Sequence, residues 1–413
     1  MKINVRWSVF LLLTSLVVLS PLLTVLSYRF GFFVGGYKEI TQISLTLIVF
    51  YYLIEKIRLK ISWPITLVAC FSLYCLFHFI GWRDIGLIFD GFRFQVIYMI
   101  SCSLLLISSI SCRNNDVDVF IKSLFYSGFP VLSIGLIELF DPKIISILYG
   151  VDKSSMSNVT LAIGDRLIST LGNPINLGIY MCFFICSSYF LAKKADVFYY
   201  WIIFWILFGL TSLVMFFTLS RLAFLTLIIL FLYIGIDGWR SRNKTTLSVI
   251  SILVLLIFPK LLSVLLSNSD IFSRFYDMLE LTTFSENSRI SNWKVALKNL
   301  DSFIKMIWGL GIGASNPTSG SGGILVENSL LTILIEFGLI GLTMYISIVF
   351  SMYFRANDSH FFEKEYSVFF NMFLITFFVM SIGNDVNRNF PFVFYFWSVV
   401  FLIFKKECRS KEK

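Results

Sequence analysis

The chain has 413 residues, 57% hydrophobic and 14% charged, against roughly a quarter charged in an ordinary soluble domain. With a mean hydropathy of +0.82 and 46 Phe, the apolar surface exceeds what one water-soluble core of this length buries, so lipid is the expected solvent for much of it. The net charge of +9 does not read as a nucleic-acid face, because Lys and Arg fall in short clusters between apolar runs.

Apolar runs long enough to cross ~30 Å of hydrocarbon lie near 7–28, 40–54, 64–80, 94–110, 124–140, 175–192, 197–216, 221–236, 246–266, 328–353, 366–382 and 390–404. The expectation is an all-α polytopic membrane protein of about twelve helices. Lys2 and Arg6 before Trp7 resemble the start of a signal peptide, but the run is about 20 residues long and no A-x-A site follows, so a retained first span is expected. The stretch from Val197 to Ile236 carries one charge, Arg221. A single helix there would be about 60 Å long, so a hairpin is expected with Thr218 to Arg221 at its tip.

With the N-terminus inside, the cytoplasmic segments hold 19 of the 34 basic residues and 10 of the 25 acidic ones. The positive-inside rule supports that orientation, with both termini cytoplasmic. The organisation expected is therefore nine spans in 1–266, a long extracytoplasmic segment at 267–327, and three spans with a cytoplasmic tail in 328–413. Within the long segment, Trp293, Ala296, Leu297, Leu300, Ile304 and Ile307 recur at helical spacing over Ser291 to Ile307, which fits an amphipathic helix on the outer leaflet. Gly309 to Gly323 is rich in Gly, Ser and Asn and reads as a mobile loop.

Few residues carry chemistry. Gly309-Leu-Gly311-Ile-Gly313 lacks the strand and crossover unit of a phosphate cradle. Asp116-Val-Asp118 lies in a short cytoplasmic loop and reads as solvated, and His78 and His360 are too separated for a metal site. The cysteines indicate no disulfide framework. The outer-face arginines Arg83, Arg93, Arg166, Arg221, Arg274, Arg289 and Arg388 are more informative, since a guanidinium fork suits a diphosphate. The alternative is snorkelling to headgroups, or pairing with Asp84, Asp90, Asp165, Glu286 or Asp385. Arg221, at a hairpin tip with Thr218 and Ser220 beside it, has no adjacent acid. Glu336 lies two turns into an apolar run, which makes it a functional candidate or an interhelical hydrogen bond. Glu327 stands at a helix mouth beside Asn328, a natural cap. Trp293, Trp308, Tyr276 and Trp82 are aromatic faces for sugar rings or interfacial anchors.

Taken in order, Asp165-Arg166, Gly172-Asn173-Pro174, Asn176-Leu177-Gly178, Ser220-Arg221, Ser288-Arg289, Trp293, the 309–313 glycines, Glu327-Asn328 and Glu336-Phe-Gly338-Leu-Ile-Gly341 resemble the O-antigen polymerase (Wzy) and O-antigen ligase superfamily. The likeness runs from about 160 to 345. It implies a GT-C-like membrane glycosyltransferase of the bacterial cytoplasmic (inner) membrane. Such an enzyme polymerises undecaprenyl-diphosphate-linked repeat units of O-antigen or capsular polysaccharide at the outer face, without cofactor, metal or nucleic acid. Carried over by motif, Arg166, Arg221 and Arg289 hold the diphosphate and Glu327 is the base, with Asn173, Asn328, Glu336 and Trp293 in support. A chain-length regulator and a flippase of the same pathway are implied partners. Ligases typically carry His where this chain has Glu327, a departure that argues against a ligase. The remaining alternatives are a ligase-type transferase and a lipid-linked oligosaccharide flippase; a transporter would show paired halves and midplane charges.

Overall fold

The breaks in the apolar pattern decide where the helices start and stop. A computed structural model describes residues 5–31, 36–55, 62–78, 89, 91–151, 166–240, 288–315 and 326–407. The helices are α1 Val5–Leu19, α2 Leu23–Phe30, α3 Tyr37–Glu55, α4 Trp63–Phe77, α5 Ile97–Ile107, α6 Asn114–Phe140, α7 Lys143–Tyr149, α8 Pro174–Ala195, α9 Phe198–Phe217, α10 Arg221–Arg240, α11 Ser288–Lys298, α12 Phe303–Trp308, α13 Ser329–Ala356, α14 Lys364–Ser381 and α15 Phe392–Phe404. A π-helical turn, Phe92–Val96, runs into α5. Among the described residues the only strand-like pairing is an isolated bridge between Cys112 and Lys406.

Every expected span except 246–266, which lies outside the described residues, is occupied by helix. Among the described residues, five helices are long and apolar enough to cross a membrane, or six if the bent α1–α2 pair is one span. The first span is not the continuous helix expected over 7–28: α1 and α2 meet at 76°. Pro21 sits in the break, where its ring and missing N–H stop α1. The 197–236 stretch folds into the expected hairpin of α9 and α10, with Leu219 at a positive φ of 51° between them.

Two helices form the centre. α8 has 83% of its apolar window buried, and every residue of α15 is buried. α8 packs against α6, α9, α10 and α14, and α15 against α5 and α13. Their facing tyrosines reach outward: Tyr180 hydrogen-bonds Ser127 of α6, and Tyr395 hydrogen-bonds Ser20 beside the α1 break. Buried hydroxyls pair in this way because an unsatisfied one in an apolar interior costs ~1–3 kcal/mol.

Ion pairs lace one end of the bundle, here the basic end. Arg6 pairs with Asp116, and Lys194 with Asp118. Asp116 also accepts the Arg113 N–H at 2.7 Å and Asp118 the Tyr366 hydroxyl at 2.8 Å. The expectation that Asp116-Val-Asp118 is simply solvated is thus corrected: the N-terminal end of α6 uses both carboxylates to tie α1, α8 and α14 together. Lys193 and Tyr189 of α8 converge on Asp237 of α10 in the same way. The opposite end carries the loops that hold the candidate residues.

Candidate functional site

The first cluster is built on the chain that precedes α8. Glu138, near the end of α6, is 1% exposed. Its carboxylate accepts the backbone N–H of Ile168 at 3.1 Å and of Ser169 at 2.7 Å. Ser169 has a left-handed φ of 48°, and its carbonyl accepts the Tyr149 hydroxyl at 2.9 Å. Two residues earlier, Leu167 N–H donates to the Phe217 carbonyl at 3.2 Å and Arg166 Nε to the Thr218 carbonyl at 2.8 Å. Arg166 is therefore seated on the tip of the α9–α10 hairpin, whose next helix begins with the exposed Arg221. Asn173 caps α8, accepting from Ile175 N–H at 2.8 Å with Pro174 as the first helical residue. This satisfies an orphan donor and fixes the exit of the loop. Gly178 lets α10 close on α8, since a Cβ there would overlap Ala223 and reach Ser220 at 3.9 Å.

The second cluster surrounds the start of α13. Glu327 is half-buried and precedes the helix; Asn328 is its cap, accepting the Leu331 N–H at 2.9 Å. The Asn328 amide donates to the Ile382 carbonyl at 2.8 Å, Ser329 Oγ to the Asn384 carbonyl at 3.0 Å, and Thr332 Oγ1 to Asp385 at 3.1 Å. The loop between α14 and α15 is thereby stitched to the first turn of α13. One turn deeper, Glu336 is fully buried and paired with Arg388 from that same loop. Its Oε1 also accepts Ser315 Oγ at 2.9 Å and Ser315 N–H at 3.3 Å. Glu336 is thus a junction of three segments rather than a bond between two helices.

Just past Glu336, α13 breaks at Gly338, with φ 65° and ψ −167°. Such a break strands the preceding carbonyls in an apolar setting, where each needs a donor. Leu310 N–H bonds the Ile335 carbonyl at 2.7 Å, Gly311 N–H the Glu336 carbonyl at 3.0 Å, and the Tyr74 hydroxyl the Phe337 carbonyl at 2.9 Å. The glycine run is consequently not the mobile loop expected over 309–323: residues 311–315 are buried, and 316–323 lie outside the described residues. The helix expected over Ser291 to Ile307 is also interrupted, because Ser302 caps a separate α12. Trp293 and Ala296 of α11 pack with Ala314, Val326 and Ile335, so this face lies on protein and not on a leaflet.

The two clusters share one end of the bundle through α14. Thr226 of α10 reaches Met380 at 3.2 Å, two residues before the carbonyl that receives Asn328. The structure brings Arg166 to the hairpin that bears Arg221, and gathers Asn328, Glu336 and Trp293 around α13. Arg83, Asp84, Asp90, Trp82, Asp165, Arg274, Tyr276, Glu286 and the side chain of Arg289 lie outside the described residues.

Sequence reasoning gave no role to Glu138, whose isolated position in an apolar helix was the available signal. It counted Arg388 among the arginines suited to a diphosphate and Asp385 only as a possible pairing partner, whereas Arg388 is paired with Glu336 and its Nε lies 3.6 Å from Asp385 Oδ2. Burial pushes the Asp385 carboxyl up to about 7, partly offset by the hydroxyls of Thr332 and Ser329. The end of the bundle therefore presents arginines suited to an anion and carboxylates suited to accepting a proton.

Residues 206–346 match the family model described as O-antigen ligase (Wzy_C). The matched stretch includes Arg221, Glu327, Asn328, Glu336 and the Gly338 break, whereas Glu138, Arg166, Asn173, Asp385 and Arg388 lie outside it. The chain matches none of the curated proteins.

Proposed function

We propose, from the premise that the chain belongs to the O-antigen polymerase and ligase superfamily, that it polymerises undecaprenyl-diphosphate-linked oligosaccharide repeat units at the outer face of the bacterial inner membrane. The observation that carries this reading is the seating of Arg166 on the tip that begins α10 with Arg221, at the end of the bundle where Glu327 precedes the capped start of α13. A lipid diphosphate is already a good leaving group. The protein then has three tasks: to bind the diphosphate, to align an acceptor hydroxyl, and to take its proton.

In this reading Arg166, Arg221 and Arg289 hold the diphosphate by charge-assisted hydrogen bonds. The acceptor sugar oxygen attacks the anomeric carbon of the growing glycan, the bond from that carbon to the diphosphate breaks, and the lipid diphosphate departs with the electron pair. Glu327 accepts the hydroxyl proton. Asn328 holds Glu327 at the helix mouth, and Glu336 and Trp293 support the surrounding loop. No nucleotide sugar or metal takes part. A chain-length regulator and a flippase would act beside it.

A ligase reading is favoured by the description of the matched family model. Reconstitution with lipid-linked repeat units separates the two: a ladder of lengthening products is expected from a polymerase, and a single transfer to a lipid acceptor from a ligase. Glu327→Gln keeps shape while removing the charge, and should abolish the ladder. A wild-type rate in that variant would remove Glu327 as the base.

A further inference from the structure

The apolar sequence of α3 carries one amide side chain, Gln42. It is 1% exposed, and its Oε1 has no hydrogen-bond partner among the described residues. An amide oxygen withdrawn from water in this way needs a donor, from protein or from ordered water, or it costs the fold its desolvation. The nearby polar side chains are engaged elsewhere. Thr46 Oγ1 lies 2.8 Å from the Gln42 main-chain carbonyl and 2.6 Å from Ser101 Oγ, and Ser101 Oγ lies 2.8 Å from the Ile97 carbonyl. Cys102 Sγ donates to the Trp397 carbonyl at 3.3 Å. These groups satisfy the backbone and one another, not the amide.

Gln42 lines a small cavity between α1, α3, α5 and α15, together with Leu13, Tyr98, Ser101, Cys102 and Ser398. Every lining residue is at most 4% exposed. The space open to the centre of a water molecule is about 10 Å³, close to what one water needs and too little for anything larger. No charged side chain lines the cavity, so it suits a neutral guest better than an ion. The Tyr98 and Ser398 hydroxyls can each donate or accept, whereas Gln42 Oε1 only accepts. Tyr98 also links the cavity to the candidate site, because its ring stacks on Phe390 of the α14–α15 loop at 6.4 Å and 29°.

We infer that this cavity is a binding site for one ordered water, which donates to Gln42 Oε1 and bridges α3 to the hydroxyls of Tyr98 on α5 and Ser398 on α15. The inference is independent of the glycan transfer proposed above. It predicts the sign of a substitution. With the water in place Gln42 is a satisfied partner, so an apolar side chain of similar size breaks the bridge and destabilises the fold. In a dry cavity Gln42 is an unsatisfied amide, and the same substitution relieves its desolvation and stabilises the fold.

Two measurements on purified full-length protein test it. A density map fine enough to show ordered solvent should place one peak in the cavity, at roughly 2.7–3.2 Å from Gln42 and from at least one of the two hydroxyls. Thermal unfolding in detergent should show Gln42→Met lowering the midpoint by a few degrees. Ser398→Ala should lower it as well, and the double variant should lose less than the sum of the two, because both substitutions break one bridge. An empty cavity in the map, a raised midpoint for Gln42→Met, or losses that add fully would each overturn the inference. A peak held by several oxygens at about 2.3–2.6 Å would be a cation and would overturn it too. If Gln42→Met does not accumulate, the wild-type map decides alone.

Discussion

Replacing Gly338 with Ala isolates the contact on which the second cluster is built. Two costs add. Gly338 has a positive φ of 65°, and an L-residue held in a left-handed conformation costs ~1–2 kcal/mol. Its Cβ would also lie 2.6 Å from the Gly309 nitrogen and closer still to the Ile307 carbonyl. Both are backbone atoms of the crossing segment, so relief requires that the strand of glycines move away. That movement gives up the bonds from Leu310 and Gly311 to the Ile335 and Glu336 carbonyls, each worth ~1–3 kcal/mol if its buried partner is left unsatisfied. The expected loss is about 5 kcal/mol in all. Gly311→Ala is the matched control: its φ is 96° but nothing lies within 4 Å of the new Cβ, so only the conformational cost of ~1–2 kcal/mol applies. Gly209→Ala, in α9 with open space around it, should be neutral or slightly stabilising, since Ala is the better helix former by ~1 kcal/mol. Thermal unfolding of the three purified variants in one detergent reads the order directly. If Gly338→Ala unfolds with Gly311→Ala, the crossing of glycines against the broken helix is not what holds this end together.

Three further outcomes are expected. Arg388→Met, which leaves Glu336 charged and buried, should destabilise by about 3–5 kcal/mol, and adding Glu336→Gln should recover much of it; fully additive losses in the thermal midpoint would count against the pair. Burial raises the Asp385 carboxyl from 3.8 to about 7. The folded state therefore keeps a proton that the unfolded state has released, and wild-type stability falls as pH rises from about 4 to 7. Asp385→Asn lacks that slope, so its thermal midpoint relative to wild type should rise between pH 5 and pH 8; a difference independent of pH would refute the assignment. For orientation, Ser319→Cys in a background without native thiols should label with an impermeant reagent in spheroplasts, and labelling only after lysis would reverse the topology.

The parts legible in the sequence are those in which a single local signal is decisive. One charge in forty apolar residues places the α9–α10 tip, because no helix of that length fits a bilayer. Asn328 before a long apolar run marks the start of α13 through capping chemistry alone. Pro21 is an equally local signal but an ambiguous one, since the same residue type at Pro130 sits inside an unbroken α6; tertiary support, not the residue, decides between a bend and a tolerated proline. The break at Gly338 was not legible, since a glycine within a uniformly apolar run carries no periodic signal and its partners lie 25 and more residues away. For the same reason the 309–313 glycines looked like a loose loop when their donors were in fact committed to stranded carbonyls. The buried acids failed for a related reason: Glu138 and Glu336 have meaning only through the loops that fold back onto them.

Those two acids point to a common solution to one physical problem. A loop that dips against apolar helices brings backbone N–H groups without the ladders that helices supply, and each must find an acceptor. Glu138 serves the Ile168–Ser169 turn, and Glu336 serves Ser315 at the end of the glycine run. In the first case the Glu138 carboxylate accepts the backbone N–H groups of Ile168 and Ser169, while Arg166 Nε donates to the Thr218 carbonyl at the hairpin tip. In the second, Arg388 neutralises Glu336 and lies against Asp385 as well, so positive charge at that cluster is already committed to carboxylates. On the function proposed above, the arginines of the α8–α10 side take the diphosphate, and the α13 side, which carries Glu327, Glu336 and Asp385, takes the proton and the acceptor sugar. A transferase of lipid-linked glycans needs that separation, because a diphosphate and a general base placed together would each raise the energy of the other's charged form.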